Sequence, residues 1–144
     1  MDRSLAPLVG GLLGTLFMTL FLLIPRWLKI GHVDIIRAAG ALATGKVENA
    51  YPPGCAIHFG SGILFAYIYV AVIHFAKLPI NFMTCGLIGA VHGIIVMLLV
   101  TIMIMEHHPV AKYHDRGPMT ALMQLLAHIF YGMIVGGVVN AMVH

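Results

Sequence analysis

Four apolar runs fill most of this chain. They cover roughly residues 5–24, 55–76, 79–105 and 118–143. A helix needs about 20 apolar residues to cross the hydrocarbon core of a bilayer, and each run reaches that length. None alternates apolar and polar residues, as the strands of a membrane barrel do. Backbone polar groups in lipid must be satisfied within their own segment, so the runs are predicted to be helices. The pattern predicts an all-α membrane protein: one domain, built as a four-transmembrane-helix bundle.

The connections add detail. Asp34 is placed to cap a short helix between the first two runs, with Val33, Ile36, Ala39 and Ala43 on its apolar face. A helix of that kind forms an interfacial segment rather than a crossing. Tyr51-Pro52-Pro53-Gly54 reads as a chain break before the second run. The short link Lys77-Leu78-Pro79 makes the second and third runs an antiparallel hairpin. Pro118 stands at the first helical position of the fourth run.

Composition agrees with the pattern. The chain is 60% hydrophobic and 9% charged, with a mean hydropathy of +0.98. Soluble domains carry about 25% charged residues, so a water-soluble class is excluded. The net charge of +3 is scattered over loops and forms no basic stripe, so no nucleic-acid partner is expected. Arg26, Lys29, Arg37, Lys46, Lys112 and Arg116 fall on one side of the runs, and only Arg3 and Lys77 on the other. The positive-inside rule then predicts cytoplasmic larger loops and both termini outside. The first run exceeds the 7–15 residues of a signal-peptide core and no A-x-A site follows it, so it reads as a retained helix. Cys55 and Cys85 fall at depths about 20 Å apart in antiparallel neighbours, too far for a disulfide.

Small residues recur at GxxxG spacing: Gly10 and Gly14, Gly89 and Gly93, Gly132 and Gly136. Such pairs let helices approach closely in lipid. They serve either the packing of one bundle or the docking of another chain.

The candidate chemistry is histidine, of which the chain has nine. His58, Ser61, Gly62, Phe65 and Tyr69 share one face of the second run. Gln124, His128, Tyr131 and Gly132 share one face of the fourth, and His92 lies in the third. Polar side chains in membrane helices face the bundle interior. Measured from the side of the larger loops at 1.5 Å per residue, His58 lies about 6 Å deep, His128 about 15 Å and His92 about 20 Å. His92 and His128 are therefore candidate ligands of one haem b. His58 falls nearer Glu106, His107, His108 and His114, a candidate copper or zinc cluster. The alternative for the buried histidines is interhelical hydrogen bonding with Tyr69, Tyr131, Gln124 or Ser61. No H-E-x-x-H, Walker loop or G-x-S-x-G motif is present. The five acidic residues all lie away from the middle of a run, which argues against a carboxylate-driven transporter. No catalytic centre is predicted.

The order of motifs resembles an uncharacterised family of small bacterial four-helix integral membrane proteins. The residues that carry the likeness are the glycine-rich first run, His58-Phe59-Gly60-Ser61-Gly62, Gly86 to Gly93, and His128-Ile129-Phe130-Tyr131-Gly132. They match H-F-x-x-G in the second helix and H-x-x-Y-G in the fourth. The resemblance spans nearly the whole chain and implies four helices, a bacterial inner-membrane location and a role for His58 and His128. His92 and the Glu106-His107-His108 stretch are not part of that pattern, and no activity comes with it. The leading expectation is an accessory subunit of a larger membrane complex, handling electrons or metals, with other membrane subunits as partners. The alternatives are a stand-alone haem- or metal-binding protein, and a small channel or transporter.

Overall fold

The structure, a computed structural model, describes residues 3–27, 34–99, 107–114 and 118–143. These residues are helical throughout apart from connections, and no strand occurs among them. The helices are α1 (Ala6–Leu22), α2 (Ile24–Trp27), α3 (Ile35–Thr44), α4 (Tyr51–Phe75), α5 (Phe82–Leu99) and α6 (Pro118–Val143). Three of them, α4, α5 and α6, are long and apolar enough to cross a membrane. α1 has 17 residues. Leu23 keeps near-helical dihedrals after it, with φ −81° and ψ −17°, so α2 continues the path of α1 with little interruption.

Several boundaries differ from the sequence expectation for identifiable reasons. Tyr51-Pro52-Pro53-Gly54 is not a break but the first turn of α4. The first N–H groups of a helix have no intrahelical acceptor, so prolines there remove nothing. The third helix starts at Phe82 rather than Pro79, because Asn81 Oδ1 accepts the Thr84 N–H at 2.9 Å and caps it. The end of the third expected span, residues 100–105, lies outside the described residues.

The short helix α3 forms where the Asp34 cap is expected. Asp34 Oδ1 accepts the Arg37 N–H at 3.0 Å, and Gly45 ends the helix at φ 70°. Its buried face is Ile36, Ala38, Gly40 and Ala41; of the expected stripe Ile36 is buried, Ala39 half-buried and Ala43 exposed, and Val33 lies outside the described residues. The face is rotated because α3 crosses α4 at glycines. A methyl added to Gly40 would collide with the Ala50 carbonyl, and one added to Gly54 with that of Ile36.

Around the bundle, α4 packs on α1, α1 on α6, and α6 on α5, with α3 across α4. The core between them holds Met18, Tyr69, Ile73, Cys85, Tyr131, Val135 and Val139. Outward faces carry Phe17, Leu64, Leu87, Val91 and Leu98, all exposed. Cys55 and Cys85 are both free thiols.

All three glycine pairs are buried in internal seams. Gly10 faces Val135 and Val139, and Gly14 faces the Tyr131 ring 2.9 Å from where a Cβ would stand. Gly89 and Gly93 face His128, while Gly132 and Gly136 face Cys85 and Asn81. The choice between internal packing and docking of another chain falls to internal packing for these pairs. Gly132→Ala is expected to cost about 1–3 kcal/mol through overpacking against the Cys85 backbone. Gly137→Ala, where a Cβ meets nothing within 4 Å, is expected to hold or raise stability, by up to about 1 kcal/mol of helix propensity. Thermal unfolding of the two variants in the same detergent checks the contrast.

Candidate functional site

The glycine seams decide where the polar side chains meet. Gly89 and Gly93 bring α5 onto α6 at the level of His128. His92 then lies edge to face against His128, with ring centroids 4.7 Å apart and planes at 78°. Across α4, Phe65 stacks over His92 at 4.0 Å. On α1, Thr15 sits against Gly62 of α4, where any Cβ would collide with its hydroxyl. Tyr131 reaches across from α6 and donates its O–H to the Gly62 carbonyl.

These contacts line a half-open cavity of about 170 Å³ between α1, α4, α5 and α6, with α3 beside it. Its polar lining is Thr15, His58, Ser61, His92, Gln124, His128 and Tyr131, and its apolar lining includes Met18, Phe65, Val96, Ile35, Ile36 and Ala39. A larger hollow of about 840 Å³ lies at the α4–α5 turn. Phe75 in its wall is 83% exposed, and of the site residues considered above it contains none, so the smaller cavity is the candidate site.

Hydrogen bonding assigns the protonation of each ring. Thr19 donates its only hydroxyl hydrogen to the Thr15 carbonyl at 2.7 Å. Towards His58 Nε2, 3.0 Å away, it can therefore only accept, so His58 carries its hydrogen on Nε2. His128 Nδ1 lies 2.7 Å from the Gln124 carbonyl, which only accepts, so His128 carries its hydrogen on Nδ1. Tyr69 is buried at 1% exposure, and its O–H donates to His92 Nδ1 at 3.0 Å. That leaves the His92 hydrogen on Nε2. Two buried atoms of the lining have no partner among the described residues: His92 Nε2 and Gln124 Oε1. A buried polar atom left unsatisfied costs about 1–3 kcal/mol.

The structure therefore groups the histidines differently from the sequence depths. His58 joins His92 and His128 in one cavity. The depth estimate counted from Cys55, but α4 starts at Tyr51, which sets His58 about one turn, or 6 Å, deeper. His92 and His128 do meet, as their levels predict. Two imidazoles on one haem iron, with bonds of about 2 Å each, would hold their ring centres about 6 Å apart. The rings here touch edge to face at 4.7 Å. The cavity is also smaller than the roughly 300 Å³ at which pockets for larger ligands begin. This arrangement does not fit a haem.

Nor are the described members of the expected metal cluster brought together. His108 is 3% exposed, with both ring nitrogens engaged: Nε2–H donates to the Ala38 carbonyl at 3.0 Å and Nδ1 accepts the Val110 N–H at 3.0 Å. His114 Nε2 donates to the His108 carbonyl at 2.7 Å. His107 is exposed, and Glu106 lies outside the described residues. No three His, Cys, Asp or Glu side chains among the described residues are arranged to hold a metal ion. His108 instead ties the segment before α6 to α3. Thr15 and Thr19 are the site residues that sequence reasoning missed. Their i, i+4 spacing on one face of an otherwise apolar run was the available signal.

Histidine ¹⁵N NMR is expected to show the Nε2–H tautomer at His58 and His92 and the Nδ1–H tautomer at His128. Thr19→Val is expected to remove the preference at His58 alone. Separately, His108→Ala is expected to cost about 1–3 kcal/mol by leaving the Ala38 carbonyl and Val110 N–H without partners. Faster hydrogen exchange in α3 would accompany it.

The chain belongs to a family of unknown function, DUF6789, which matches residues 1–144. No curated protein and no solved structure matches the chain.

Proposed function

We propose that this chain is a small integral membrane protein that crosses the bilayer four times and binds a small molecule in the cavity between its helices. The observation that carries this reading is convergence. His58, His92 and His128 come from three different helices and meet with the buried Gln124 on one cavity. Ionisable side chains within membrane helices are rare and mark functional sites. Two of the atoms there, His92 Nε2 and Gln124 Oε1, have no partner among the described residues.

The fourth crossing is α1. Its 17 residues span about 25 Å, slightly less than the hydrocarbon core. α2 extends the path to Trp27, 66% exposed, a residue type that anchors at the membrane interface. The charge distribution supports cytoplasmic larger loops and outer termini. The accessory-subunit expectation drew on free glycine faces, and those faces are buried within the bundle. Small-molecule binding is therefore the better supported role, and no catalytic role is assigned.

Native mass spectrometry of protein extracted gently from its membrane tests this reading. A bound species on the order of 100 Da, the size that suits such a cavity, is expected on the wild-type chain and absent from His128→Phe. A consistently bare chain overturns the reading. A retained second polypeptide with no small molecule favours the accessory role instead.

A further inference from the structure

We infer that the ligand of this cavity is a neutral molecule the size of a single aromatic ring that carries a hydroxyl group, a phenol in chemical class. The inference rests on the binding reading above and goes beyond it in naming the ligand chemistry. It follows from counting hydrogens. Thr15 donates its hydroxyl hydrogen to the Gly11 carbonyl at 2.7 Å, Ser61 to the His58 carbonyl at 3.0 Å, and Tyr131 to the Gly62 carbonyl. His58 and His128 donate outside the cavity, to Thr19 and to the Gln124 backbone. What these groups keep is lone pairs: Nδ1 on His58, Nε2 on His128 and the amide oxygen of Gln124. Against these acceptors stand the unpartnered ring N–H of His92 and the side-chain amide N–H groups of Gln124. A hydroxyl group matches this set, donating to one acceptor while accepting from His92 Nε2–H.

Charge and size narrow the class further. Among the described residues no Asp, Glu, Lys or Arg lines the cavity, so an ion held there by them alone would lack a counter-charge, at large cost. The volume of about 170 Å³ is close to that of a cavity of about 150 Å³ that accepts benzene. Water alone would need about six molecules, each making about three hydrogen bonds. Met18, Phe65, Val96 and Ile36 offer such waters nothing, but they offer a ring apolar contact, and Phe65 and His92 add aromatic faces.

The test uses the full chain in lipid nanodiscs, with ¹⁹F NMR of 4-fluorophenol, 4-fluoroanisole and fluorobenzene. 4-Fluorophenol is expected to give a saturable bound resonance. The other two, which cannot donate, are expected to bind about tenfold more weakly, the weight of one hydrogen bond. Gln124→Leu removes one of the three acceptors and is expected to narrow that preference, and thermal unfolding reports whether the variant is folded. The wild-type comparison stands whether or not it folds. Equal affinity for all three probes overturns the phenol inference and leaves the binding cavity standing. No bound resonance from any probe overturns both.

Discussion

The bundle depends on backbone-to-backbone approach across α6. Gly89, Gly93, Gly132 and Gly136 let α5 and α6 close on each other, and Gly10 and Gly14 let α1 close on the other side of α6. In lipid there is little hydrophobic drive between helices, so this proximity and its dispersion contacts hold the helices together. The distribution of small residues is uneven, and that unevenness shapes the interior. α4 lies against α1, where Gly11 and Gly62 interlock, but it meets α5 through Phe65, Tyr69 and His92. Long side chains fill that side imperfectly. The cavity is what remains between three tight seams and one made of rings.

Helical backbone also sets the polarity of the interior. A hydroxyl on a helix can return its hydrogen to a carbonyl one turn earlier, as Thr15 and Thr19 both do. This habit satisfies the hydrogen at no packing cost and leaves the oxygen as an acceptor. Each such choice propagates. Thr19 fixes the tautomer of His58, and the Gln124 carbonyl fixes that of His128. Secondary structure thus decides which atoms of the lining remain acceptors, before any ligand is considered.

Much of this architecture was legible in the chain. The apolar runs locate α1, α4, α5 and α6, Asp34 locates α3, and the inward faces of His58, His92 and His128 follow from helical spacing. Legibility failed where one boundary shifted a level. Reading Tyr51-Pro52-Pro53-Gly54 as a break moved His58 towards the surface and into a cluster with His107, His108 and His114. Pattern alone also cannot show that a glycine pair is already occupied, since the partner comes from another helix. His108 illustrates a third limit: its neighbours in sequence suggest a ligand set, but its ring bonds to Ala38, 70 residues away in the chain.

The crossing of α3 over α4 has a kinetic side. Gly40 and Gly54 seat the two backbones directly on each other, and the His108 ring holds α3 from above through Ala38. Displacing α3 means breaking a buried hydrogen bond and a backbone contact together, a motion of the microsecond-to-second class of local opening. The α4–α5 side is closed by the rings of Phe65 and His92, and side-chain rotation is intrinsically much faster. The interior is therefore closed by different means on its two sides, by backbone contact under α3 and by side-chain rings between α4 and α5.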